Sequence, residues 1–152
     1  MRKLRVYPDT SVFDGCFDLE FDDVSNQFFA EVVSGRFILV VSGTTLDELA
    51  RAPERVRRIL GTLPVECVEI AEHSPHVAML QQAYLAAGVV GKVSSNDAAH
   101  IAAATVANVE IVVSWNFKHI VHFDKIAGYE GVNTLLNFKS PKIYSPKEVV
   151  EL

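Results

Sequence analysis

The chain has 152 residues, of which 49% are hydrophobic and 22% charged, with a formal net charge of −5. This length suits a single domain, 1–152, with a real hydrophobic core, and no apolar run approaches the roughly 20 residues that span a bilayer. The acidic balance argues against a surface broadly built for nucleic acid, and two cysteines, Cys16 and Cys67, are too few for a disulfide scaffold or a thiolate metal cluster and read as buried free thiols.

The basic start, Met1-Arg2-Lys3-Leu4-Arg5, runs into a strand-like segment and not a signal-peptide core, so the chain reads as cytoplasmic. Residues 4–7 form a first expected strand, with Pro8 at its end, where a missing N–H is tolerated. Thr10 or Ser11 caps a short helical segment beginning near Val12. Phe13, Phe17 and Phe21 recur every four residues through an acidic stretch, the spacing of one helical face. Ser25 caps a helix that runs to Val33 and stops at Gly35. Phe37–Val41 is an uninterrupted apolar run, as in a strand buried on both faces.

Thr44 or Thr45 then caps a helix through Leu46, Leu49 and Ala50. Pro53 opens another, with Val56, Ile59 and Leu60 inward and Gly61 as its stop. Residues 65–70 alternate apolar and acidic side chains and read as an exposed or edge strand. Residues 75–87 form a helix broken by Gly88 and Gly91. Ser94, Ser95 and Asn96 offer caps for an alanine-dense helix over 97–107. Residues 111–114 are the next buried strand, a short helix from His119 ends by Gly128, and Lys142–Tyr144 forms a last short strand.

Strands alternating with helices imply an α/β domain whose mostly parallel sheet is covered on both faces. Ligands of such sheets bind outside the carboxyl ends of the strands, where the connectivity reverses. Asp9 and Asn116 fall at strand ends, and Glu48 and Asp97 fall early in helices that face the same edge. Each has a plain structural alternative: Asp9 a helix cap, Glu48 and Asp97 partners of a helix dipole, Asn116 a turn residue. His100, three residues after Asp97, either orients that carboxylate or is an ordinary half-buried helix residue.

Together the four polar residues point to a hard divalent cation. Crowded carboxylates need a neutralising charge, and Mg²⁺ takes carboxylate and water oxygens. His73 and His76 have no cysteine partner at zinc spacing. Gly88-Val89-Val90-Gly91-Lys92 lacks the phosphate-loop spacing, and no Gly-x-Ser-x-Gly elbow occurs. Arg51, Arg55 and Arg58 are spaced for one helical face, and with Lys118 and His119 they are candidates for contacting phosphates; the plain reading is a solvated face.

In order along the chain, Tyr7-Pro8-Asp9-Thr10-Ser11-Val12, Thr45-Leu46-Asp47-Glu48-Leu49, Asp97-Ala98-Ala99-His100-Ile101-Ala102 and Ser114-Trp115-Asn116-Phe117-Lys118-His119 resemble the motifs of the PIN-domain ribonucleases, which include the VapC-like toxins of prokaryotic toxin–antitoxin pairs. The resemblance covers nearly the whole chain. It implies a PIN-like, three-layer α/β/α sandwich and a Mg²⁺- or Mn²⁺-dependent endoribonuclease that leaves a 5′-phosphate. Asp9, Glu48 and Asp97 would be its acidic, metal-binding core. Asn116 stands where many members have a fourth acid. The resemblance also implies an RNA substrate, a cognate antitoxin and a homodimer, with the Phe13, Phe17, Phe21, Phe28 and Phe29 region as a contact surface if those rings are not core.

Two other readings compete. A phosphoaspartate phosphatase needs an acid two residues beyond its nucleophile, where this chain has Ser11. A non-catalytic PIN-like module that binds RNA or protein is the stronger alternative, supported by Asn116 and the acidic net charge.

Overall fold

The computed structural model describes residues 2–152. Five strands, β1 (Leu4–Pro8), β2 (Phe37–Val41), β3 (Val68–Ile70), β4 (Ile111–Val113) and β5 (Lys142–Tyr144), form one parallel sheet in the order β3-β2-β1-β4-β5. The chain builds outward from β1 to β3, then returns to lay β4 against the other side of β1. The connectivity therefore reverses between β1 and β4, where Pro8 pairs with Val113.

Among the described residues, eight helices surround the sheet: α1 (Thr10–Gly15), α2 (Asp22–Val33), α3 (Gly43–Ala50), α4 (Glu54–Thr62), α5 (Pro75–Ala86), α6 (Ser95–Val106), α7 (Phe123–Leu135) and α8 (Pro146–Val150). Val6, Leu39, Val41 and Val113 bury one face of the sheet against Val12, Phe13, Phe28, Phe29, Val32, Val56 and Val149 from α1, α2, α4 and α8. Tyr7, Val40, Val112 and Ile143 bury the other against Leu80, Tyr84, Ile101, Ala102 and Tyr129 from α5, α6 and α7. This is the three-layer α/β/α sandwich with a parallel central sheet. Among the described residues no helix is long and apolar enough to cross a membrane.

The α6 helix is the innermost element. Eight consecutive residues, Ala98 to Thr105, are buried, as in a helix surrounded by protein. Five of these are alanines. Small side chains let α6 approach its neighbours closely, and they set His100 deep in the molecule.

Local chemistry explains where elements depart from expectation. Ser42, not a threonine, caps α3; Thr45 returns the bond to the Ser42 N–H, completing a capping box. Helix α2 begins three residues before Ser25, which is buried and accepts from Trp115 Nε1 at 2.8 Å. The stretch expected as one strand over 65–70 opens with a 3-10 turn, Val65–Cys67, because Cys67 N–H closes onto Pro64 C=O. The helix expected to end by Gly128 instead runs from Phe123 to Leu135, capped by His122. Gly128 lies inside it, where a Cβ would come within 2.9 Å of Val89 Cγ1. The Phe13, Phe17, Phe21 face does not form, since α1 stops at Gly15. Phe13 is core, Phe17 is exposed, and Phe21 stacks on Trp115. Phe28 and Phe29 are core as well, which removes them as a contact surface. Cys16 and Cys67 are buried free thiols, and burial pushes the Cys16 thiol up to about 11.

Gly15 is a point of close approach. A Cβ there would lie 2.5 Å from Ser25 Oγ and 2.9 Å from Trp115 Nε1. Gly15→Ala is therefore expected to break the Ser25–Trp115 bond and cost about 2 kcal/mol. Urea unfolding followed by fluorescence of Trp115, the single tryptophan of the chain, reads both effects.

Candidate active site

The reversal between β1 and β4 gathers the predicted quartet. Asp9 follows β1 directly, and its N–H bonds Val113 C=O at 3.0 Å. Its side chain does not cap α1, so the helix-cap reading fails. Ser11 Oγ donates to Oδ1 at 2.5 Å and Ser114 Oγ to Oδ2 at 2.8 Å. Ser11 Oγ also accepts from Trp115 N–H, and Ser114 Oγ from Asn116 N–H, both at 2.9 Å. The loops after β1 and β4 are thus stitched together through one carboxylate. Asp9 is buried. Among the described residues no lysine or arginine pairs with it. Burial, and secondarily the charge of Asp97, push its pKa to about 6 against the pull of His100, Ser11 and Ser114.

Glu48 comes from α3, at its sixth residue and not its first turn, so it is no partner of that helix dipole. His100 Nε2 reaches Glu48 Oε1 at 2.5 Å, Thr10 Oγ1 donates to the same oxygen at 3.0 Å, and Asn96 Nδ2 approaches Oε2 at 3.4 Å. Burial works to raise the Glu48 pKa, but the bond and charge of His100, with Thr10 and Asn96, outweigh it and the net shift is downward.

His100 is not the half-buried surface residue that a lone helix histidine suggests. It is 2% exposed. Its Nδ1 bonds Tyr7 Oη at 2.7 Å, and Tyr7 Oη continues to Ser42 Oγ at 2.7 Å and Thr45 Oγ1 at 3.2 Å. Burial disfavours charge on the ring, but Tyr7 and the carboxylates of Glu48 and Asp9 prevail and push its pKa up to about 10. The histidine serves Glu48 directly rather than orienting Asp97.

Asp97, the third residue of α6, is half-buried. Burial raises its pKa, Glu48 adds to the rise, and His119, His100 and a hydrogen bond from Asn116 hold it back. Asn116 does form a turn: its Oδ1 accepts from Lys118 N–H at 3.2 Å and His119 N–H at 2.9 Å. With that oxygen engaged, the polar atom Asn116 has left is its amide nitrogen.

The basic residues do not share a face. Arg51 ends α3, while Arg55 and Arg58 belong to α4, beyond the break at Pro53. Arg55 lies over the Phe17 ring and Arg58 pairs with Glu54. Arg51 lines a cleft of about 370 Å³ with Thr10, Asp14, Glu48 and Asn96. Lys118 is exposed, and His119 is near enough to Asp97 to act on its charge. A larger cleft, about 860 Å³, lies between the Arg5–Glu69 pair and the start of α5 and includes none of the quartet.

Among the described residues no group of three or more His, Cys, Asp or Glu side chains is arranged to hold a metal ion. Glu48 is already engaged by His100. Asp9 and Asp97 remain, two desolvated acids, and the charge of Asp97 adds to the rise at Asp9. That donor set fits a hard, hydrated dication, since Mg²⁺ is typically held by one or two carboxylates and keeps several waters.

Sequence reasoning missed Tyr7, Thr10, Ser11, Asp14, Asn96 and Ser114. Hydroxyls two residues after Asp9 and two before Asn116 were the available signal for the two serines.

No protein-family model matches the chain, and no curated protein matches it. Its structure is similar to that of VapBC2 from Rickettsia felis bound to a DNA fragment from their promoter, with a TM-score of 0.56, 13% sequence identity, and coverage of 93% of this chain and 98% of that one. The fold is PIN-like. At this identity the likeness speaks to the fold.

An Asp9 carboxyl raised from 3.8 to about 6 opposes folding wherever the unfolded chain ionises it more readily. That opposition grows from about pH 4 and is complete above pH 6. Asp9→Asn is expected to stabilise the metal-free chain by up to about 3 kcal/mol at pH 8, with the difference gone near pH 4. Urea unfolding in EDTA at the two pH values checks this.

Proposed function

We propose that this chain is a divalent-metal-dependent endoribonuclease, hydrolysing RNA to leave a 5′-phosphate, and the toxin of a toxin–antitoxin pair. The observation that carries the reading is the convergence of Asp9, Glu48, Asp97 and Asn116 at the β1–β4 reversal, around a buried carboxylate with only hydroxyl partners. Ligands of open parallel sheets bind at this place. The likeness to VapBC2, whose solved structure is bound to promoter DNA, supports a partner protein. A homodimer belongs to the same proposal.

Each side chain has a distinct task. Asp9 and Asp97 would hold Mg²⁺ or Mn²⁺. The cation, when bound, supplies a nucleophile at neutral pH and offsets charge on the phosphate. Glu48, fixed by His100 and Thr10, positions water at the cleft and accepts a proton. Its lowered pKa keeps it ionised for that role. Asn116 orients Asp97. Arg51 and Lys118 attract phosphates toward an otherwise acidic cleft.

The experiment is cleavage of single-stranded RNA by the purified chain with Mg²⁺ or Mn²⁺. Asp9→Asn and Asp97→Asn are expected to lower the rate by at least about 100-fold, beyond the loss usual for outer-shell groups, and EDTA should abolish cleavage. Equal cleavage by wild type and Asp9→Asn overturns the reading.

A further inference from the structure

Phe117 stands between Asn116 and Lys118 in the turn that follows β4. It is 50% exposed, a large apolar ring left open to solvent. The backbone on either side of it is pinned. Asn116 Oδ1 accepts from the Lys118 and His119 N–H groups, and Asn116 C=O accepts from Ile120 N–H at 3.2 Å and Val121 N–H at 2.8 Å. On the other side, Trp115 N–H bonds Ser11 Oγ, the same hydroxyl that donates to Asp9. The ring is buttressed as well. Its centroid lies 6.2 Å from that of Trp115 at an interplanar angle of 65°, and Trp115 in turn stacks on Phe21 at 4.2 Å and 21°. An exposed ring held this firmly loses little freedom when a flat group is laid on it.

The charges of the chain leave phosphate attraction little to work with. The net charge is −5. Arg2, Arg5, Arg36 and Arg58 each pair with a glutamate, and Arg55 lies over the Phe17 ring. Arg51 and Lys118, the cations offered to phosphates in the reading above, stand against Asp9, Glu48 and Asp97. Contacts to so few phosphates hold a single strand weakly. An uncharged contact is what this edge can add, and every base has a π face that an aromatic ring can take.

We propose that Phe117 is a stacking platform for an unpaired base of the RNA, and that this contact, more than phosphate attraction, holds the strand at the edge. The proposal rests on the nuclease reading above and deepens it: the substrate is single-stranded where it meets the turn after β4, and Phe117 touches it.

The test is fluorescence anisotropy of a labelled single-stranded RNA on the full chain in EDTA, where cleavage is stopped. The logarithm of the association constant is expected to fall with the logarithm of salt concentration at a slope of about −1.4, the value for two phosphate contacts on a single strand. Phe117→Ala should weaken binding at least about fivefold with the slope unchanged. Phe117→Leu should weaken it alike, and Phe117→Trp should keep it. Lys118→Ala should flatten the slope by about 0.7. Duplex RNA, which carries more charge but no free base face, and an abasic strand of equal charge should both bind less tightly than the single strand. Circular dichroism of each variant confirms folding.

Wild-type affinity in Phe117→Leu, equal affinity for the abasic strand, or a slope steeper than about −2 overturns the proposal. So does a wild-type dimer that Phe117→Ala dissociates, which assigns the ring to a second copy of the chain. Absence of RNA binding in EDTA overturns it too, since a ring holds a base without a cation. RNA cleavage in Mn²⁺ together with wild-type affinity in Phe117→Ala sinks the platform and leaves the nuclease reading. Ring-dependent RNA binding without cleavage does the reverse.

Discussion

A buried imidazole bonded at both nitrogens ties one edge of the molecule together. Through Nδ1, His100 reaches Tyr7 on the central strand and, beyond it, the Ser42–Thr45 capping box at the start of α3. Through Nε2 it reaches Glu48 on the body of α3. One side chain on α6 therefore fixes the distance from sheet to helix and the orientation of an acid. A buried polar group is costly unless satisfied, and here each ring nitrogen has its partner. The packing of α6, dense in alanine, is what allows the ring to sit so deep.

The second tie is Asp9. Its two oxygens accept from hydroxyls on both sides of the strand reversal, so the loop after β1 and the loop after β4 cannot separate without exposing a bare carboxylate to an apolar surrounding. The cost of burying that carboxylate appears as its raised pKa. A site that spends stability this way is arranged around the charge and not around the packing.

Much of the fold was legible because it depends on local pattern. Phe37–Val41 reads as a doubly buried strand and is one; Asp9 and Asn116 follow strands, and strand ends at a connectivity reversal define the edge where they meet. The position of Glu48 and Asp97 at that same edge was legible from the helices that follow β2 and precede β4. What was hidden depends on contacts distant in sequence. Nothing near His100 announces that Tyr7, 93 residues away, will hold its ring. The arginines illustrate the opposite error: their spacing fits one helix, yet Pro53 places Arg51 and Arg55 on different helices. The short helix expected after His119 failed because His122, not an earlier residue, supplies the cap. The likeness to VapBC2 at 13% identity fits the same division, since burial pattern and connectivity carry a fold with few residues in common.

The alanine-rich α6 has a bearing on how the protein tolerates change. A helix whose buried side chains are already nearly the smallest has little volume to lose, so truncation costs little while almost any enlargement collides with a neighbour. Mutational tolerance at Ala98, Ala99, Ala102, Ala103 and Ala104 is therefore one-sided. A substitution scan would register a long intolerant stretch beginning beside Asp97, and most of that intolerance would report the width of a gap between layers instead of chemistry at the acid.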